Sequence, residues 1–287
     1  MNSTNQILAR AAKAVQDSSR LSGRRTAALG VGLAAVHVFV CWSAMQGRLS
    51  LSLAFYLNTL IAYLIFTPLH DATHGAVAGP RAEWRWLQGL TGYLGGLVLW
   101  APFSAFKPLH LRHHSETNQP HTDPDFWMHG HNPVVLVMRA FLIIPVYYVH
   151  FFKHSQTRSG RTLLPLIRDE ILVGCLFAAW GLYSGWIYPV ALWLLPAVFA
   201  LALLALLFDW LPHHPHHTTQ RLYNTSVYAH PLLSVLLLNQ NYHLVHHLFP
   251  RVPFFAYGRA YVRIRGLLQT AGSPVYDLAK DRASADG

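Results

Sequence analysis

Charge is scarce in this chain. Asp, Glu, Lys and Arg make up only 12% of its 287 residues, against about 25% in an average soluble domain. Acidic residues are scarcer still, 12 against 22 basic ones. Cysteine is nearly absent. Cys41 and Cys175 both sit in apolar blocks, which excludes a disulfide framework and a four-cysteine metal site. No cysteine spacing suits an iron–sulfur cluster, and no G-x-G-x-x-G motif follows a strand. Hydrophobic residues, by contrast, reach 53% and come in long blocks. That composition is of the membrane class. The net charge of +10 does not point to nucleic acid, because the basic residues flank apolar segments and form no single patch.

A membrane-spanning helix needs about 20 apolar residues. Four stretches approach this: Ala27 to Gln46, Leu51 to Leu69, Ile171 to Trp186 and Val190 to Leu211. Gly89 to Pro102 and Val134 to Phe152 are apolar but ambiguous, and are expected to be re-entrant or interfacial. Arg10, Lys13, Arg20, Arg24 and Arg25 precede the first span and place the amino terminus in the cytoplasm. Lys153, Arg158, Arg161 and Arg168 mark a second inside loop, and no Lys or Arg occurs from Ile171 to Gln220. Both termini are then cytoplasmic. The expected fold is all-α and integral to the membrane, with four spans, interfacial or re-entrant helices, and a cytoplasmic histidine-rich cap. Three segments follow: a basic stretch 1–26, a membrane domain 27–265 and a polar tail 266–287.

Histidine is what the chain has in excess, with nineteen copies. "HDATH" carries His70 and His74, "HLRHH" carries His110, His113 and His114, and "HLVHH" carries His243, His246 and His247. Residues at i, i+3 and i+4 share a helix face, so each group can aim its imidazoles at one point. A further run, "HHPHH", holds His213, His214, His216 and His217, with prolines that disrupt a regular helix. Neutral imidazole suits iron, copper, nickel and their neighbours. Eight or nine such ligands are too many for one tetrahedral ion and about right for two. Isolated histidines carry less weight. His37, inside the first span, is expected to be packed or hydrogen-bonded. His121, His129, His131 and His230 lie in loops, and His150 and His154 in a basic amphipathic segment.

Asp71 and Asp209 sit at the membrane boundary, where a charge is costly and usually functional. Each is expected to orient a ligand imidazole through its second nitrogen. Asp123 and Asp125 can do the same or cap their loop. Asp169 and Glu170 are expected at the amino terminus of the third span, where the helix dipole favours them. The run "VPFFAYGRAYVRIR" reads as a helix lying on an anionic membrane surface. "GLTGYLGGLVLWAP" can line a tunnel or serve only close packing.

In order and setting, "HDATH", "HLRHH" and "HLVHH" resemble the three histidine boxes of the integral-membrane fatty acid desaturase and hydroxylase superfamily. The resemblance covers about residues 70–261. It implies a non-haem centre of two ferrous ions held by His70, His74, His110, His113, His114, His243, His246 and His247. Asp209 and His213 match a further polar-residue and histidine pair of that family, although Asn is more usual than Asp at the first position. His214, His216 and His217 remain rivals to His213. The phrases "DWLPHHPHH" and "NQNYHLVHHLFPRVPFFAY" are most similar to the branch containing bacterial desaturase-type β-carotene hydroxylases.

The resemblance further implies O2 as co-substrate, a lipid substrate entering from the bilayer, and electrons from outside. A ferredoxin, a rubredoxin or a cytochrome b5-type protein fits as donor, since no such domain is fused to the chain. Acyl-lipid desaturation is the alternative outcome. A membrane metal transporter is the rival of another class, but transporters place ionisable ligands near the bilayer midplane, and these spans are nearly free of them. A bacterial inner-membrane location is expected.

Overall fold

The structure is a computed structural model and describes residues 3–154 and 160–278. Arg158 and the last nine residues of the tail lie outside the described residues, as does the Arg161 side chain. Almost every described element is a helix. α1 spans Ser3–Ser19, α2 Arg24–Met45, α3 Leu51–Thr73, α4 Arg85–Val98, α5 Phe103–Glu116, α6 Pro133–Phe141, α7 Ile143–Lys153 and α8 Gly160–Ser184. α9 is the continuous helix Ile187–Trp210. α10 (Pro231–Leu236), α11 (His243–Leu248) and α12 (Tyr257–Ala271) follow. A two-residue parallel pair, β1 (Val227–Tyr228) with β2 (Val275–Tyr276), is the only sheet among the described residues.

α2, α3 and α9 are long and apolar enough to cross a membrane. Two bent pairs, α4 with α5 at 100° and α6 with α7 at 65°, raise the possible total to five. Three of the four expected spans are α2, α3 and α9; the fourth, in α8, is not among these helices. α8 is the short one: Arg168, Asp169 and Glu170 interrupt it and leave only Ile171–Ser184 as its apolar part, below the about 20 residues a span requires. The 100° bend makes Gly89–Pro102 the first arm of a broken or re-entrant element.

α3 is the central helix and packs on α2, α4 and α9. Its start is fixed by Ser50, whose hydroxyl accepts from the Leu53 amide at 3.2 Å. A polar knot ties the three spans together. Asn58 donates to the Leu192 carbonyl at 2.9 Å and lies 3.0 Å from His37 Nδ1. His37 is thus a hydrogen-bonded packing residue, as its isolation in the sequence suggests.

Small residues let α4 approach α3. A Cβ on Gly95 would come 2.8 Å from Leu69 Cβ, and one on Gly92 would come 2.6 Å from the Phe103 ring. Helices in lipid lack a hydrophobic drive between them, so close backbone approach is a main source of attraction. This close packing positions Leu69, and with it the histidine turn that follows.

Two expectations fail here. α12 does not lie on a membrane surface with its apolar face. It buries Tyr257, Ala260, Tyr261, Ile264 and Leu268 against α1 and α11. An apolar face consumed by protein packing has none left for lipid. Nor do Asp169 and Glu170 open a helix: α8 begins at Gly160, so both sit in its interior. Asp169 instead accepts from Ser104 at 2.6 Å, and Glu170 accepts from the Tyr148 hydroxyl.

Candidate metal centre

Four elements deliver the histidines to one end of the helix bundle. His70 occupies the last turn of α3, and His74 follows as its cap. α5 presents His110, His113 and His114, and α11 presents His243, His246 and His247. α11 has to begin abruptly, and a left-handed Asn239 (φ 62°) turns the chain into it. His213 comes from the segment just after α9.

The side chains gather into two adjoining clusters. His70, His74, His110, His114 and His246 form one, and His113, His213, His243 and His247 form the other. Within each, the candidate ligand atoms lie within 4.8 Å of one another. The clusters touch where the rings of His114 and His247 stack at 4.1 Å. Eight of the nine are 9% exposed or less; His114 is partly buried.

Hydrogen counting shows what belongs between them. Asp123 can only accept, so its contact at 2.8 Å with His113 Nδ1 places a proton there and, in the neutral ring, leaves Nε2 bare. Thr117 donates its hydroxyl to the His113 carbonyl at 2.8 Å and so faces His247 Nδ1, 3.5 Å away, as an acceptor. His247 Nε2 is then bare too. Yet His113 Nε2 and His247 Nε2 lie 3.3 Å apart. Nε2 atoms also meet for His213 with His243 at 3.0 Å and His246 with His114 at 2.9 Å. In the neutral His113–His247 pair the opposed lone pairs repel, and a cation between them would remove the conflict. The donor set of the two clusters therefore fits metal ions, and it is all imidazole, unlike soluble bundle sites built on Glu and Glu-x-x-His; Asp123 and Asp125 form a third group with His113 beside them.

Electrostatics prepare the ligands. Burial pushes His246 and His247 well below the usual imidazole range, and His243 to about 3. Neutral imidazole is the form a metal binds. His113 departs from this. Burial alone would lower it, but the Asp123 and Asp125 carboxylates outweigh burial and raise it to about 9, so a metal ion at Nε2 would take the place of the ring's second proton. Those carboxylates hold the Nδ1 proton and so fix the ring orientation.

The structure also sorts the remaining candidates. Of the "HHPHH" run only His213 joins a cluster. His214 meets His131 with ring centroids 4.7 Å apart, His216 packs against Phe126, and His217 is exposed. His129 stacks on Phe126, and His230 caps α10 by accepting from the Leu232 amide at 3.2 Å. Asp71 is corrected. Its Oδ2 accepts from Thr26 at 3.0 Å and from the Phe254 amide at 3.1 Å, so it ties α2, α3 and the entry to α12 and orients no imidazole. Asp209 likewise contacts Tyr147, at 3.2 Å. Asp123 takes the orienting role. Tyr257, missed in the sequence, lies 2.8 Å from His246 Nδ1.

A family model for fatty acid desaturase matches residues 46–279. The chain belongs to the fatty acid desaturase family. Among curated proteins, none matches it at a significant level. The match spans all three histidine boxes and most of the chain, so the protein is a membrane oxidoreductase of the desaturase and hydroxylase type. The two imidazole clusters are compatible with the di-iron centre of this family.

Beside the histidines the desaturase-family fold holds a cavity. Phe66, Trp100, Phe106, Ile144, Leu204 and Phe208 supply much of its apolar wall, and His70, His110, His113 and His243 reach its surface. A second space shares Trp100, Pro102, Ile144 and Tyr148 with it and adds Glu170 and Val173. The bent α4–α5 element thus has both expected uses: its glycines pack against neighbours, and its Trp100–Pro102 turn lines the cavity.

Proposed function

We propose that this protein is a di-iron oxygenase that hydroxylates a long apolar lipid, with the β-ionone ring of a carotenoid as the favoured substrate. The observation that carries this reading is the opening of two all-imidazole clusters onto an apolar cavity. His70, His74, His110, His114 and His246 would hold one ion, and His113, His213, His243 and His247 the other. Held there, two ferrous ions would supply the O2 activation needed to oxidise an unactivated C–H bond.

The chain's own residues do the rest. Asp123 fixes His113, and Tyr257 fixes His246. Phe66 stacks on His70, and Phe106 on His110, which keeps water from the cavity side of the ligands. The apolar wall brings one carbon up to the histidines and excludes others, and position decides which bond reacts. Each hydroxylation takes up O2, two electrons and two protons, and releases the alcohol and water. Removal of a second hydrogen would give a double bond with the same ligands, so acyl-lipid desaturation is the second reading.

Electrons come from a ferredoxin, rubredoxin or cytochrome b5-type donor. Basic residues in and just after α1 support a cytoplasmic face on the histidine side and a bacterial inner-membrane setting. Many small carriers are acidic, and opposite charge speeds their docking.

Expression in a bacterial host that accumulates β-carotene tests the reading. Chromatography of pigments and of total fatty acids from the same cells should show new 3-hydroxylated carotenoids. New unsaturated acyl chains with unchanged pigments would replace the substrate and keep the chemistry. His113→Ala should abolish product and lower bound iron while the protein still inserts; full activity in that variant would sink the metal-centre assignment.

A further inference from the structure

Residues 231–238, "PLLSVLLL", are apolar except for one serine, far too short to span a bilayer, and take no part in the histidine centre. Helix α10 occupies most of this run and has two faces. Leu233 and Leu237 pack into the hydrophobic core shared by α2, α3 and α9. Leu232, Val235 and Leu236 point the other way and are 59%, 71% and 54% exposed.

The neighbouring span shows where that outer face lies. Leu53, Tyr56 and Leu60 form an exposed stripe along α3 at helical spacing. The next positions of the stripe, Tyr63 and Thr67, are buried. α10 covers the first of them, because Tyr63 donates its hydroxyl to the Leu236 carbonyl at 3.0 Å. Asp71 accepts from Thr26, next to Arg24 and Arg25, the cations that mark the cytoplasmic boundary. Tyr63 comes eight residues before Asp71 in α3, about 12 Å deeper at 1.5 Å per residue, and helical side chains lean towards the amino end, which here is deeper still. The backbone of α10 suits that depth. Carbonyls at a helix end usually turn to water, yet those of Leu233, Ser234, Val235 and Leu237 accept from the amides of Leu237, Asn239, Leu238 and Gln240, and Tyr63 serves Leu236. Hydrocarbon demands such internal pairing.

We infer that α10 is a re-entrant segment seated in the acyl-chain layer of the cytoplasmic leaflet, with Leu232, Val235 and Leu236 against lipid tails. It takes over the lipid-facing stripe of α3 where that stripe ends. From this depth the chain turns through Leu238 and Asn239, both left-handed, and climbs to His243. The third histidine box thus hangs from a turn immersed in lipid, and the bilayer helps to hold its height against the first two boxes.

A nitroxide attached to Val235→Cys in nanodisc-embedded protein tests the location. Cys175→Ser removes the exposed native thiol, and Cys41 is buried. Collisions with O2, which concentrates in hydrocarbon, are compared with collisions with a water-soluble chromium chelate. Phe39→Cys, 60% exposed on the spanning helix α2, gives the lipid reference, and Asp17→Cys, with a side chain 84% exposed on α1, gives the water reference. The ratio of O2 to chelate collisions at Val235 should match that at Phe39 and lie well above that at Asp17. A ratio like that of Asp17 overturns the inference. Few collisions with either reagent would mean that a protein, a second copy or another chain, covers the face, and overturns it equally. Leu232→Cys repeats the reading if Val235→Cys fails to fold.

Metal release tests the link to the third box. Val235→Asp sets a charge in hydrocarbon, where it is costly, and should give up bound iron to a chelator several-fold faster than wild type. Val235→Leu should match wild type. Val38→Asp, at a position 65% exposed on α2, brings the same charge into lipid away from the box and should stay close to wild type. Equal release from Val235→Asp and wild type, or equally fast release from Val38→Asp, overturns the link. The nitroxide reading needs no metal, so failure of the oxygenase reading leaves the location of α10 standing, and failure of the location leaves the oxygenase reading standing.

Discussion

Two side chains that hold other side chains matter most at the residue scale. Asp123 accepts from three groups: His113 Nδ1, and the amides of Asn118 at 2.7 Å and Asp125 at 2.9 Å. Its backbone contacts lock it, and it locks the imidazole. Asp123→Asn should lower iron affinity by about 10 to 100-fold, the usual cost of removing an outer partner of a histidine ligand, as measured by competition with a chelator. Tyr257→Phe removes the partner of His246 Nδ1 and should give a loss in the same range.

The eight histidines of the three boxes were legible because their helical spacing is a pattern, whereas His213 rested on the family resemblance and kept His214, His216 and His217 as rivals. Tyr257 was not, because one tyrosine in an aromatic run gives no sign of facing a histidine eleven residues earlier. Asp71 misled for a related reason. A carboxylate inside a histidine box looks like its orienting partner, but it points to the far side of α3, towards Thr26.

At the scale of elements, α4 against α3 is the contact that seats the first histidine box. Gly95→Val should destabilise the protein by about 1 to 3 kcal/mol, the range for overpacking, and should lower iron content as well, because Leu69 precedes His70. Thermal unfolding and metal analysis of one preparation check both. Helices α2, α3 and α9 could be read from apolar length alone. The bend between α4 and α5 showed only as ambiguity, since length and composition cannot tell a broken span from a straight one. The π-helical turn over Ala205–Trp210 gave no sequence signal. Such turns often mark functional positions, and this one carries Asp209 at the cavity. The amphipathic pattern of α12 was read correctly as a pattern and wrongly as to partner, because periodicity does not say whether lipid or protein covers the apolar face.

For the whole molecule, the clusters tie together α3, α5, the end of α9 and α11, which are distant in sequence. Binding that only the folded state provides is stabilising by mass action. Removing the metal with a membrane-compatible chelator should therefore lower the unfolding temperature by several degrees, about the effect of 1 kcal/mol or more, and speed proteolysis between residues 211 and 243. No change in either would mean that the helices hold the site without help. A second expectation concerns turnover. Reconstituted protein with O2 and lipid but no reductant chain should not sustain product formation, because two electrons per cycle have no source in the chain. Sustained turnover would remove the need for a donor.

The bare nitrogens that face one another across each cluster have a practical corollary. An all-imidazole nest with neutral ligands discriminates poorly between divalent ions of the first transition row, and zinc binds such nests more tightly than ferrous iron does. Occupancy is then decided by supply. Protein overproduced in ordinary medium should carry zinc and lack activity, as metal analysis and a turnover assay of one preparation would show. Growth under zinc limitation with added iron should restore active enzyme from the same gene. An inactive preparation of this protein is therefore first a record of how the cells were fed.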